Sequence, residues 1–259
     1  MNKFILLSFD VEEFDIPLEY QCNISADEQM KIGKQGLNEM LPVVDSFNIS
    51  TTMFTTANFA VHFPDDVKAM SAKHEIASHT YFHTTFENKD LVNSKLALEK
   101  IIEKPVVGLR MPRMRNVEMN EVKKAGYLYD SSIHPTWLPG RYNNLHLPRN
   151  WYKQEGVLRL PASVTPNLRL PLFWLAFKNY PYWLFKKLVL QTLKKDGYVC
   201  LYFHPWEFTN IHDYKLPGYV KKHCGESLQN RLHQLIKDLL QHGDCISIKE
   251  YIHQKNPTN

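Results

Sequence analysis

A parallel α/β fold is predicted for this 259-residue chain by three observations. Strand-like runs alternate with runs of helical spacing along the whole length, and such alternation implies right-handed crossovers within a parallel sheet or barrel. The runs at 3–9 and 198–204 are nearly continuously apolar, as strands buried on both faces are. No internal repeat or low-complexity segment breaks the pattern. The length fits one domain spanning 1–259.

The elements follow in order. Residues 3–9 form the first strand and run directly into Asp10, Glu12 and Glu13. Residues 15–35 read as loop. Leu37, Met40, Leu41 and Val44 have helical spacing over 36–47, although Pro42 disturbs it. The β-branched and aromatic run 51–56 is a second strand. Asp65 and Asp66 suit the positive end of a helix over 63–73. A short strand at 74–78 leads into His79 and His83. Leu91, Leu96, Leu98, Ile101 and Ile102 define a helix over 88–104, which Pro105 stops. Residues 106–111 form a fourth strand that carries Arg110. A helix over 116–125 ends before Gly126, and 127–129 is a strand feeding Asp130. Residues 134–151, rich in Pro, Asn and Gly, read as loop. A strand at 157–160 precedes helical stretches over 172–193, broken by Pro181. The strand at 198–204 ends on His204, a helix covers 225–241, and the last strand is 245–248.

Composition excludes some classes. Hydrophobic residues are 44% and charged residues 22%, ordinary for a chain with a sizeable core. A net charge of +4, scattered along the chain, does not argue for nucleic acid. No apolar stretch reaches transmembrane length. The apolar start, residues 4–9, is too short for a secretory signal. Cys22, Cys200, Cys224 and Cys245 form no Cys-x-x-Cys pair, so a thiolate zinc site is not expected. Free thiols in a reducing, cytoplasmic setting are.

Three motifs carry chemistry. His79 and His83 are four residues apart after a strand, and imidazoles so spaced suit zinc and similar ions. With 12 His in the chain, the pair alone reads as easily as two surface side chains. The carboxylates at 10, 12 and 13 change the balance. Two imidazoles and a carboxylate can hold an ion with open positions, and another carboxylate can serve as base. A solvated acidic loop is the bland reading. His204, at the end of an apolar strand, is either a satisfied core histidine or an acid for a leaving amine. Arg110, beside Asp10, would keep that carboxylate ionised and fixed in direction.

These motifs, Phe9-Asp10-Val11-Glu12, Ser78-His79-Thr80-Tyr81-Phe82-His83, Arg110-Met111-Pro112, Asp130-Ser131-Ser132 and Tyr202-Phe203-His204-Pro205-Trp206-Glu207, resemble the polysaccharide deacetylase family, carbohydrate esterase family four. They fall in the family's order across nearly the whole chain. The resemblance implies a distorted seven-stranded (β/α) barrel and metal-dependent removal of N-acetyl groups from a glycan sugar. It makes Asp10 the base, His79 and His83 metal ligands, Arg110 the residue that orients the base, and His204 the acid. Asp130 would tune His204. The ion implied is zinc, with cobalt or another transition metal as alternatives.

The sequence departs from the commonest family pattern in two places. Val11 stands where the usual ligand aspartate follows the base, so the metal carboxylate becomes Glu12. Arg113 stands where an aromatic residue or Gly is common, either as a solvated side chain or as a partner for an acidic sugar or phosphate. Some relatives with altered openings bind no metal and hydrolyse cyclic amides. A metal-free amidohydrolase and a catalytically silent glycan-binding barrel are therefore the alternatives. The aromatic and lysine-rich stretch 170–187 reads as barrel-wrapping helix with core aromatics. The other reading is an interface for a lipid-linked glycan at the inner membrane face.

Overall fold

The computed structural model describes residues 2–255. Its sheet is built from β1 (Phe4–Val11), β2 (Thr52–Thr55), β3 (Glu75–Ser78), β4 (Gly108–Leu109), β5 (Tyr129–Asp130), β8 (Tyr152–Gln154), β9 (Val157–Arg159), β10 (Tyr198–Phe203) and β11 (Asp244–Cys245). A separate hairpin pairs β6 (Trp137–Leu138) with β7 (Tyr142–Asn143). The strand order is β10-β1-β2-β3-β4-β5-β9-β8. The seven from β10 to β9 are parallel, and β8 is an antiparallel margin. Short β11 lies along the start of β1, below the stretch that β2 occupies. The open side is closed by backbone: Ser163 N–H donates to the Cys200 carbonyl at 2.9 Å, and the Ser163 hydroxyl accepts from Cys200 N–H at 2.8 Å. The result is a curled parallel barrel, as expected.

Because the strands are parallel, their carboxyl ends share one rim. Asp10, His79, Arg110, Asp130 and His204 all sit at or just past such ends, where barrels of this kind place their chemistry. Every residue of β1 and of β10 is buried, which explains their continuous apolar runs.

Several elements differ from the sequence expectation, each for a local reason. Residues 15–35 are not loop: a short helix, Ile16–Glu19, precedes a long one, Ala26–Asp45. Ser25 caps the second, its hydroxyl accepting from Glu28 N–H at 3.2 Å. Pro42 gives up one backbone bond, to the Asn38 carbonyl, but it lies so near the end that the helix continues only to Asp45. A helix at Ala57–His62, capped by Thr56, precedes Pro64–Met70. The strand expected at 106–111 shrinks to Gly108–Leu109. The stretch 134–151 contains the β6–β7 hairpin rather than loop alone. The last strand ends at Cys245, and Ile248 begins a helix, Ile248–Lys255. Ser247 and Glu250 cap that helix reciprocally: Glu250 N–H donates to the Ser247 hydroxyl at 3.2 Å, and Ser247 N–H to the Glu250 carboxylate at 2.8 Å. Over 172–193 the helices Trp174–Asn179 and Tyr182–Asp196 flank Pro181 as predicted.

The helix Ala26–Asp45 presses bare backbone against the site. A Cβ on Gly33 would lie 2.5 Å from the Glu12 carbonyl oxygen, and one on Gly36 would lie 2.2 Å from that of Pro205. Glycine is required at both positions because the loops carrying Glu12 and Trp206 leave no room for a methyl group. Gly36→Ala should therefore lower stability by about 1–3 kcal/mol, the usual effect of overpacking, read as a lower urea midpoint with unchanged slope. A variant as stable as the wild type would contradict this packing.

Candidate metal and acid–base site

Arg110 anchors the rim. Its guanidinium is fully buried and lies 4.0 Å from the Phe54 ring centroid. One nitrogen, Nη1, donates to Asp10 Oδ1 at 2.7 Å and to Ser8 Oγ at 2.9 Å. Nη2 donates to Ser131 Oγ at 3.0 Å. Asp10 is thereby held on one oxygen, while Oδ2 faces His204 Nε2 at 4.0 Å.

Glu12 enters the same space as the chain leaves β1. Its Oε1 accepts from Trp206 Nε1 at 3.0 Å. Its Oε2 lies 3.1 Å from His79 Nε2 and 3.0 Å from His83 Nε2. The far nitrogens of both rings are engaged elsewhere. His79 Nδ1 donates to the Arg110 carbonyl at 2.8 Å, since a carbonyl can only accept. His83 Nδ1 lies 2.8 Å from Asp15 Oδ1, out of line for a hydrogen bond, so the pair is held by charge. Arg113 braces Asp15 at 2.9 Å and Glu19 at 2.6 Å. It is not free, although about a quarter of its side chain (26%) stays exposed.

This arrangement has an electrostatic consequence. With Nδ1 donating, a neutral His79 turns a lone pair toward a carboxylate oxygen. Acceptors facing each other near 3 Å need positive charge between them, whether a proton or a metal ion. The donor atoms of Glu12, His79 and His83 lie within 4.8 Å of one another, and all three residues are buried. The residues therefore fit a divalent ion. Without one, protons fill the role. Burial opposes a charge on His83, but Glu12 and Asp15 outweigh it and push the imidazole up to about 9. Burial likewise opposes ionisation of Glu12, yet His83, His204 and His79 hold its carboxyl well below the usual carboxylate range.

His204 stacks on Trp206, ring centroids 5.0 Å apart, and meets Trp174 edge-on at 5.1 Å. Its Nδ1 lies 3.0 Å from Glu207 Oε1, which also accepts from His204 N–H at 2.8 Å. Burial opposes the charged ring, but Glu12 and Glu207 raise its pKa above the ordinary imidazole value. Behind Glu207 stands Lys178, both fully buried and 3.3 Å apart.

Asp130 does not take up the expected position. Its carboxylate accepts from Ser132 N–H at 3.1 Å and pairs with Arg159 Nε at 2.9 Å. The partner of His204 is Glu207. An acid three residues after a strand-ending histidine is the signal that could have revealed it. Asp15 and Lys178 left no comparable signal. Glu13 is structural, accepting from Thr56 at 2.8 Å and Asn58 at 2.6 Å. The stretch 170–187 divides: Phe177 and Phe185 are core, Trp183 is exposed, and Phe173 and Trp174 line a cavity of about 260 Å³ over the site. Tyr142, Tyr202 and Trp206 complete its aromatic walls.

At the mouth of the parallel barrel, Asp10 and His204 thus face each other beside three side chains whose donor atoms could hold a cation. The model of the polysaccharide deacetylase family matches residues 3–129, just under half of the chain. No curated protein matches the chain in a sequence comparison. Solved structures match its fold. A Mycobacterium smegmatis protein assigned to the polysaccharide deacetylases shares 19% identity at a TM-score of 0.66, covering 98% of this chain and 91% of its own. The PuuE allantoinase shares 15% at 0.63, covering 99% and 92%. A carbohydrate esterase family four pseudoenzyme from Bacillus anthracis shares 12% at 0.54, covering 96% and 65%. At these identities the likeness concerns the fold alone. Among the described residues no helix is long and apolar enough to cross a membrane.

His134, buried between Phe173 and Tyr202, yields a pH prediction. Burial, followed by the charge of Arg110, pushes its pKa from 6.5 down to about 3. Above pH 6.5 neither folded nor unfolded His134 is charged. Below it only the unfolded chain gains the proton, so stability falls with pH until about 3, by up to about 1.4 kcal/mol per unit from this group. His134→Phe should flatten urea midpoints between pH 6.5 and 4 relative to wild type. Parallel pH profiles would refute the assignment.

Proposed function

We propose that the chain is a metal-dependent hydrolase that removes N-acetyl groups from a glycan or sugar intermediate of polysaccharide or cell-envelope metabolism. The observation that carries this reading is the convergence of Glu12 Oε2 with two Nε2 atoms whose partner nitrogens are already engaged. Glu12, His79 and His83 would hold the ion: zinc, or cobalt or another transition metal. Such an ion, when bound, supplies Lewis acidity and lowers the pKa of water.

The residues of the chain account for the remaining chemistry. Asp10, fixed by Arg110 through Oδ1, keeps Oδ2 free to take the proton of the attacking water. His204 faces it across 4.0 Å with Nδ1 tied to Glu207, so Nε2 points into the cavity and can protonate the departing nitrogen. Elevation of the His204 pKa suits that acid role. Aromatic walls match the apolar faces of a sugar ring. The products are acetate and a free amine. We further place the protein in the cytoplasm as one catalytic domain over 1–259, a reading supported by four unpaired cysteines. A lipid-linked sugar and peripheral contact with the inner membrane face fit the exposed Trp183.

A metal-free amidohydrolase is the second reading, favoured by the likeness to an allantoinase fold and by glutamate at position 12. Acetate release from a panel of N-acetylated sugars, with zinc or cobalt added, separates the two. Activity should vanish on chelation and in His79→Ala, and Asp10→Asn should lower kcat by about 10²–10⁴-fold. Activity that survives chelator would favour the metal-free reading, and a cellular role that survives Asp10→Asn would favour a silent barrel.

Asp15 should act on the ion through His83. Asp15→Ala is expected to weaken zinc affinity by about 10–100-fold, measured by chelator competition. Undiminished affinity would show that Asp15 has no hold on the ligand.

A further inference from the structure

We propose that the substrate is a phosphorylated N-acetyl sugar, and that a basic annex beside the catalytic cavity receives its phosphate. This rests on the deacetylase reading of the cavity. The annex is a hollow of about 500 Å³, and Glu19, Arg113, Met114, Arg141 and Tyr142 line both it and the catalytic cavity. A ligand seated over Glu12 and the two imidazoles therefore has one continuous wall leading into it.

The charge of that wall is unbalanced. Arg113, Arg115 and Arg141 are met by two carboxylates, Glu19 in the wall and Asp15 behind Arg113. Arg113 is committed to Asp15, Glu19 and the His83 carbonyl. Arg141 reaches Glu19 through one nitrogen at 2.7 Å and is 55% exposed along its side chain. Arg115 makes one long contact, 3.4 Å to the Thr84 carbonyl. A guanidinium offers five N–H donors in a planar fork, so Arg115 and Arg141 keep most of theirs. Such forks match phosphate oxygens two at a time. Asn116 and Asn144 add amides to the same hollow.

The backbone of this corner is also unusual. Arg113 and Met114 hold φ of 56° and 53°, left-handed conformations that L side chains seldom adopt. Strain of this kind gathers where side-chain placement matters to function. Here it sets Arg113 inward on Asp15 and begins the wall on which Arg115 stands.

The test is binding, so that it does not depend on turnover. Titration calorimetry on the Asp10→Asn protein would compare N-acetylglucosamine, its 1-phosphate, and its uridine diphosphate form. The two phosphorylated ligands separate a monoester from a diphosphate as the source of the anion. At least one should bind about tenfold or more tightly than the free sugar, with an advantage that shrinks as salt is added. The advantage should disappear in Arg115→Gln combined with Arg141→Gln. Arg115→Gln alone, which breaks no ion pair, should reduce it if the double variant folds poorly. Equal binding of the free sugar, a preference that survives these substitutions, or no binding of any of the three would overturn the proposal. Selective binding without acetate release by the wild-type protein would leave the annex standing and remove the deacetylase reading.

Discussion

The interaction on which the rest depends is the buried guanidinium of Arg110. An isolated charge in a protein interior is strongly unfavourable, so its position must satisfy it from several directions. Asp10 and Ser8 come from β1, Ser131 follows β5, and the Phe54 ring on β2 covers its face. One side chain thus ties together strands that are not neighbours. The same bond set orients Asp10, and the Arg110 carbonyl orients His79. The rim cannot shift at one strand without disturbing the others.

A second pattern follows from burial. Each candidate side chain at the rim is backed by another charged or polar group. Glu207 and then Lys178 stand behind His204; Asp15 and then Arg113 stand behind His83; Trp206 holds the oxygen of Glu12 that does not face the imidazoles. Backing of this kind fixes ring orientation and tautomer, and a cation site requires both. It also explains the two glycines on the helix Ala26–Asp45. The loops bearing Glu12 and Trp206 are wedged against bare helix backbone, which limits their freedom to relax.

Much of the fold was legible in one dimension. The runs at 3–9 and 198–204 read as doubly buried strands and proved to be neighbours, β1 and β10. Helices with a clear apolar stripe, such as Glu226–Leu239, lay close to their expected ranges. The errors fell where pattern and structure part. The helix Ala26–Asp45 is polar at its start and its signal was a cap, Ser25, rather than periodicity. β4 keeps only two paired residues because its strand ends at the turn that aims Arg110 and Arg113.

For the candidate site, the sequence by itself picked out side chains that the fold brings together: acids at 10 and 12, imidazoles at 79, 83 and 204, and an arginine at 110. Each stands next to a strand, and parallel strands bring their carboxyl ends to one rim whatever their separation along the chain. Tertiary structure alone decided the partners. Whether His204 answers to Asp130 or Glu207, or whether Arg113 meets solvent or Asp15, depends on side-chain directions a few ångströms apart. Those directions arise from loops packing against one another, and residue order along the chain carries no record of that distance.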